Sequence, residues 1–173
     1  MKNNKAMKVA MGGIIAALYV VLTFVANAFG LANYAIQVRF SEALTILPAF
    51  TLSAIPGLSV GCLVANILTG CALPDIIFGT LATLIGALGT FLLRKKGAVK
   101  WLYPLPPIIA NTIIVPFVLV YGYGIIEEGK GVAYSILFYA LTVGIGEVIS
   151  CGILGLLLYG ILYKRKSELF MED

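Results

Sequence analysis

Arg39 and Glu42 stand where ionisable groups are costly. They lie in Ile36-Gln37-Val38-Arg39-Phe40-Ser41-Glu42, at the head of a run that is otherwise apolar through Ser53. Charged side chains inside a membrane face a bundle interior or an aqueous cavity and mark ligand or ion paths. Three-residue spacing places the two on one helical face, which we read as the wall of a small-molecule site. A second carboxylate, Glu147, follows Gly144-Ile145-Gly146. It falls about fifteen residues into an apolar stretch, mid-membrane at ~1.5 Å per residue. Asp75 and the amides of Asn66, Asn111 and Gln37 complete the polar set, which carries the hydrogen bonds a ligand edge needs.

Each residue has a plainer reading beside the functional one. Arg39 snorkels to the interface and locks to Glu42, or it supports a ligand contact made by Glu42. Asp75 follows Pro74 and reads as a helix N-cap. Asn66 and Asn111 read as interhelical hydrogen-bonding residues. A carboxylate at mid-membrane depth has no such structural use, so Glu147 is a site residue.

The elements that must position these groups are apolar. The chain has 173 residues, 61% of them hydrophobic and 12% charged, with a mean hydropathy of +1.03. This is one domain whose solvent is a lipid bilayer. Six apolar stretches follow, at about 9–29, 39–53, 56–73, 76–93, 103–123 and 132–163. The fold class expected is an all-α integral membrane protein with six transmembrane helices. The net charge of +4 does not mark nucleic acid, because ten of the 12 Lys and Arg fall in three clusters beside apolar stretches: 2–8, 94–100 and 164–166. By the positive-inside rule these are cytoplasmic. Both termini are then inside, and Arg39, Glu42 and Asp75 lie near the outer face of a multi-pass plasma-membrane protein. Lys2–Lys8, the first apolar core and Ala26-Asn27-Ala28 imitate a cleaved signal; the core is longer than a signal's, and we read it as retained.

Absences narrow the chemistry. With no histidine in the sequence, His-based metal sites and nucleophiles are out. No G-x-x-x-x-G-K-[ST] loop binds ATP, and no G-x-S-x-G elbow is present. Cys62, Cys71 and Cys151 lack C-x-x-C spacing and read as small packing residues. No cofactor and no catalytic residue are expected. Small-residue faces, Gly57-x-x-x-Gly61 and the pairs Gly12/Ala16 and Gly13/Ala17, mark close helix contacts within the bundle or with another subunit.

The run Ile36–Pro48 resembles the QueT family, as do Ala54-Ile55-Pro56-Gly57-Leu58 and Leu73–Thr83. The resemblance covers most of the chain. It implies the six-helix fold of a substrate-binding S component of an energy-coupling factor (ECF) transporter. The implied cargo is a queuosine precursor, a 7-deazaguanine such as 7-aminomethyl-7-deazaguanine, bound from outside near the first loop. The implied partners are an EcfT-like membrane coupling subunit and two cytoplasmic ATPases. The coupling face would be Gly12/Ala16 or Gly13/Ala17, with Ala6/Ala10 upstream. Such a cargo offers paired donors and a cationic arm, which suit Glu42 and Glu147. Arg39 would orient Glu42, Asn66, Asn111 or Gln37 would serve the ring carbonyl, and Asp75 is in reserve. Tyr34, Phe40, Tyr121 or Tyr123 would stack on the heterocycle. Two other readings remain open: an S component for a flavin or thiamine, and a stand-alone proton-coupled transporter using Glu147.

Overall fold

The computed structural model describes residues 5–30 and 38–170. Among these the chain is helical throughout, without strands. Helix α1 spans Lys5–Ala28, and a 3-10 helix follows at Phe40–Ala49. Then come α2 (Ala54–Leu68), α3 (Leu73–Lys95) and α4 (Leu105–Phe117), the last running on as a π-helical turn, Val118–Gly122. Next, α5 (Val132–Glu147), a second π-helical segment (Val148–Leu154) and α6 (Gly155–Tyr163) form one continuous rod, and α7 (Lys166–Leu169) closes the chain.

Among the described residues four stretches are long and apolar enough to cross a membrane: Lys5–Ala28, Leu73–Lys95, Lys100–Gly122 and Val132–Tyr163. Local chemistry sets their ends. At the end of α3 the Gly97 N–H bonds Arg94 O and the Ala98 N–H bonds Leu93 O. Gly97 has φ +70° there, the left-handed closure that glycine adopts without a Cβ penalty. Pro116 removes a backbone donor inside α4, and the wide π turn begins two residues later.

The second apolar stretch differs from the α-helix expected over 39–53. It is a ten-residue 3-10 helix, with Arg39 in extended backbone before it. Arg39 therefore shares no helical face with Glu42. Pro48, inside this segment, cannot donate to an α-type ladder. The Thr45 hydroxyl fastens onto the Glu42 carbonyl at 2.6 Å, an i to i−3 bond suited to the tighter turn. At three residues per turn the segment has three edges, and every residue from Ser41 to Ala49 is buried. It runs through the centre of the bundle and touches α1, α2, α3, α6 and the second π segment. Around it, α1 packs on α2, α2 on α3, α3 on α4, and α4 on α5. The third stretch also ends early: α2 stops at Leu68 and the chain turns at Thr69-Gly70.

Glycines set the closest contacts. A Cβ on Gly57 would lie 2.6 Å from the Gly12 carbonyl oxygen, and one on Gly61 would lie 2.8 Å from Tyr19 Cβ. The Gly57-x-x-x-Gly61 face is thus internal, seated on Gly12 and Ala16 of α1. Gly13 meets nothing within 4 Å, and it and Ala17 are exposed. Overpacking a tight contact costs about 1–3 kcal/mol. Gly61→Ala should therefore lower the thermal midpoint of the purified protein in detergent, while Gly13→Ala should leave it unchanged or raise it.

Candidate functional site

Glu42 sits in the first turn of the 3-10 helix and is 2% exposed. The Tyr19 hydroxyl of α1 donates to Glu42 Oε1. Glu42 Oε2 is buried and has no hydrogen-bond partner among the described residues. Glu147, 6% exposed, approaches from the end of α5. One turn on, Cys151 Sγ donates to Glu147 Oε2 at 3.1 Å. Donor atoms of Glu42, Glu147 and Cys151 all lie within 4.8 Å of one another. Asn111 of α4 places its amide beside both carboxylates. Five elements thus converge on one group of polar atoms, and the donor set, two carboxylates and a thiol, suits a cation.

Hydroxyls anchor the segment that carries Glu42. Thr23 Oγ1 bonds Ser41 Oγ at 3.0 Å, and Thr45 Oγ1 reaches Cys151 Sγ at 3.3 Å. The Arg39 N–H donates to Ser150 Oγ at 3.2 Å. Ser150 and Cys151 both lie on the second π segment, a form that recurs at functional sites.

A cavity of about 490 Å³ adjoins this cluster, lined by Thr23, Asn27, Arg39, Asn66, Asp75 and Tyr123 among others. That volume lies within the usual ~300–1,000 Å³ of small-molecule sites. Thr23 joins the two regions, since it lines the cavity and bonds Ser41. Arg39 is the charge between them, interacting with Asp75 on the cavity wall and with Glu42 below. Tyr123 closes the wall: its hydroxyl accepts the Ala72 N–H at 2.9 Å and donates to Asp75 Oδ2 at 3.2 Å.

The candidate residues from sequence therefore divide. Glu42, Glu147 and Asn111 come together in the buried cluster. Arg39, Asn66 and Asp75 line the cavity. Tyr34 and Gln37 lie outside the described residues. Of the candidate stacking rings, Tyr123 lines the cavity, Phe40 is half-buried, and Tyr121 lies in a separate apolar groove.

Three expectations are corrected. Arg39 precedes the helix and shares no helical face with Glu42; it acts on the carboxylate through charge, and the hydrogen bond comes from Tyr19. Asp75 is not the N-cap of α3: Ala72 holds that position, and the Asp75 carboxylate turns to Tyr123. Cys151 is more than a packing residue, since it hydrogen-bonds Glu147. Asn66 keeps its interhelical role, donating to the Asp75 carbonyl at 3.2 Å, while also facing the cavity. Sequence reasoning missed Tyr19, Thr23, Ser41 and Ser150. For Tyr19 and Thr23 the signal was i, i+4 spacing of polar groups on one helical face.

Apolar helices packed around a buried carboxylate cluster and a polar cavity are the build of a helical membrane protein. A model of the QueT transporter family matches residues 9–164. The chain belongs to the QueT transporter family. A curated relative, the queuosine precursor transporter QueT of Lactococcus lactis subsp. cremoris (strain MG1363), is 34% identical over 85 residues. That match covers 49% of this chain and 50% of the relative, so the chain spans about half the length of the relative it matches. No solved structure matches.

Breaking a hydrogen bond to a charged buried group costs about 1.5–3 kcal/mol. Tyr19→Phe should lower the thermal midpoint accordingly. In combination with Glu42→Gln its effect should shrink, because the two residues share one bond; a double-mutant cycle reads the coupling.

Proposed function

We propose that this chain is the substrate-binding S component of an ECF-type importer that takes up a 7-deazaguanine queuosine precursor. The observation that carries the reading is the Glu42 carboxylate, with Oε1 held by Tyr19 and Oε2 buried and unpartnered beside Asn111 and Glu147. A guanine-like edge offers two parallel donors, the ring N–H and the exocyclic amine, to such a carboxylate. Buried groups of this kind reject analogues that leave them unpaired. Glu147 would take the cationic aminomethyl arm, and Asn111 the ring carbonyl. Arg39, between Asp75 and Glu42, balances the acidic lining. The Lactococcus lactis relative, a queuosine precursor transporter by name, supports the same cargo.

The accompanying topology has six spans, with the 3-10 helix and α2 as the two short crossings and both termini cytoplasmic. Basic residues at the end of α3 and after α6 favour that orientation. The cavity then opens outward, and a coupling subunit with two ATPases drives release. The exposed pair Gly13/Ala17 is the coupling face, since Gly12/Ala16 is occupied by α2. A stand-alone proton-coupled transporter is favoured by one observation, the closeness of Glu42 and Glu147, which suits a shared proton.

Direct titration separates these readings. Wild-type protein should bind 7-aminomethyl-7-deazaguanine well above guanine or riboflavin. Glu42→Gln and Glu147→Gln should each weaken binding at least ~tenfold, as expected when a buried charged hydrogen bond is lost. Wild-type affinity in both variants refutes the assignment. Uptake that persists without ATPases and collapses with the proton gradient favours the second reading. For the coupling face, Gly13→Leu/Ala17→Leu should abolish co-purification with the coupling subunit while leaving ligand affinity intact.

A further inference from the structure

At the far end of the bundle from the polar cavity, a second pocket of about 220 Å³ lies between the end of α3, the start of α4 and α6–α7. Arg94, Lys166, Ser167, Tyr103, Tyr159 and Tyr163 supply its polar lining. Among the described residues none of its lining side chains is acidic. Arg94 belongs to the last turn of α3 and faces Tyr159, and Lys166 Nζ lies 5.0 Å from the Tyr163 ring centroid. The aromatic floor is fixed, with Tyr159 packed on Phe50 at 4.9 Å and on Tyr103 at 5.7 Å between centroids. Two cations and phenolic donors on a rigid floor are the chemistry of a phosphate site.

Tyr159 is also a wall of a neighbouring apolar groove of about 430 Å³. That groove is lined by Val148, Ile153, Leu156 and Leu157 and by two glycines, Gly152 and Gly160, with Lys100 and Trp101 at its end. Gly160 has nothing within 4 Å of a would-be Cβ, and the nearest atom to one on Gly152 is 3.8 Å away. The missing side chains leave the groove open. Trp101 is 66% exposed and carries Lys100 Nζ at 5.2 Å from its ring. A Trp with a lysine beside it marks the headgroup level of a bilayer. Headgroup pocket and acyl-sized groove thus share one wall at interfacial depth.

We propose that the Arg94/Lys166 pocket seats the phosphate of an anionic phospholipid, whose acyl chain lies in the groove across Tyr159. Basic pockets between membrane helices bind such headgroups. The adjoining groove favours a lipid over free phosphate, and the paired cations favour an anionic over a zwitterionic headgroup.

Native mass spectrometry of the full chain in detergent, titrated with phosphatidylglycerol or phosphatidylcholine of matched chains, tests this. Wild type should retain phosphatidylglycerol preferentially. Arg94→Gln/Lys166→Gln should reduce that preference at least ~tenfold, the effect of removing two cations near a lipid phosphate. Lys95→Gln/Lys164→Gln removes the same charge from exposed residues outside the pocket and should change it little. Gly152→Leu/Gly160→Leu should weaken long-chain phosphatidylglycerol while sparing the dihexanoyl form, and this arm stands even if the charge variant fails to fold. An unchanged preference in Arg94→Gln/Lys166→Gln, or an equal loss in the control pair, overturns the proposal. So does complete displacement of the lipid by inorganic phosphate with the same variant sensitivity, which would make this a free-phosphate site.

Discussion

A carboxylate held out of water governs this structure. Glu42 is buried at the head of a central helix, where an ionised group without partners is prohibitively unfavourable. The surrounding fold answers half of that demand. Tyr19 satisfies one oxygen from α1, Arg39 adds opposite charge, and Asn111 stands nearby on α4. The other oxygen has no donor within the described residues.

The 3-10 helix follows from this constraint. A ten-residue run of this form exceeds the usual three or four, and its narrow section fits among five neighbouring elements. Its edge Glu42–Thr45–Pro48 turns toward the second π segment, where Cys151 receives the Thr45 hydroxyl bond. Gly155 opens α6 to the edge holding Ala43 and Ile46, whose atoms would lie 3.5 and 3.8 Å from a Cβ there. Two departures from α geometry, one tight and one wide, therefore meet at the carboxylates.

The sequence carried the fold's outline because hydropathy and basic clusters report membrane exposure directly. The long helices α1, α3 and α4, with its π turn, and the rod from Val132 to Tyr163 were legible in that way. Glu42, Glu147 and Asn111 were legible too, since polar residues in apolar runs are conspicuous. The shared helical face of Arg39 and Glu42 was misread, because three-residue spacing implies one only if both residues are helical. Pro48 was the one local hint of a tighter helix, and it does not fix where that helix begins. Tyr19 was hidden by its own chemistry: in an apolar run a tyrosine passes for bulk, and only the third dimension shows where its hydroxyl points.

Helix α1 has a mechanical consequence. It is a single rod with two faces: Tyr19 grips the Glu42 carboxylate on one, while Gly13 and Ala17 are open on the other. The contacts of Gly57 and Gly61 clamp that rod to α2 with backbone nearly touching backbone, so the two helices cannot slide independently. The open outer face and the inward grip on the carboxylate therefore belong to one rigid element, itself pinned to α2 by the close approach of Gly57 to Gly12 and of Gly61 to Ala16.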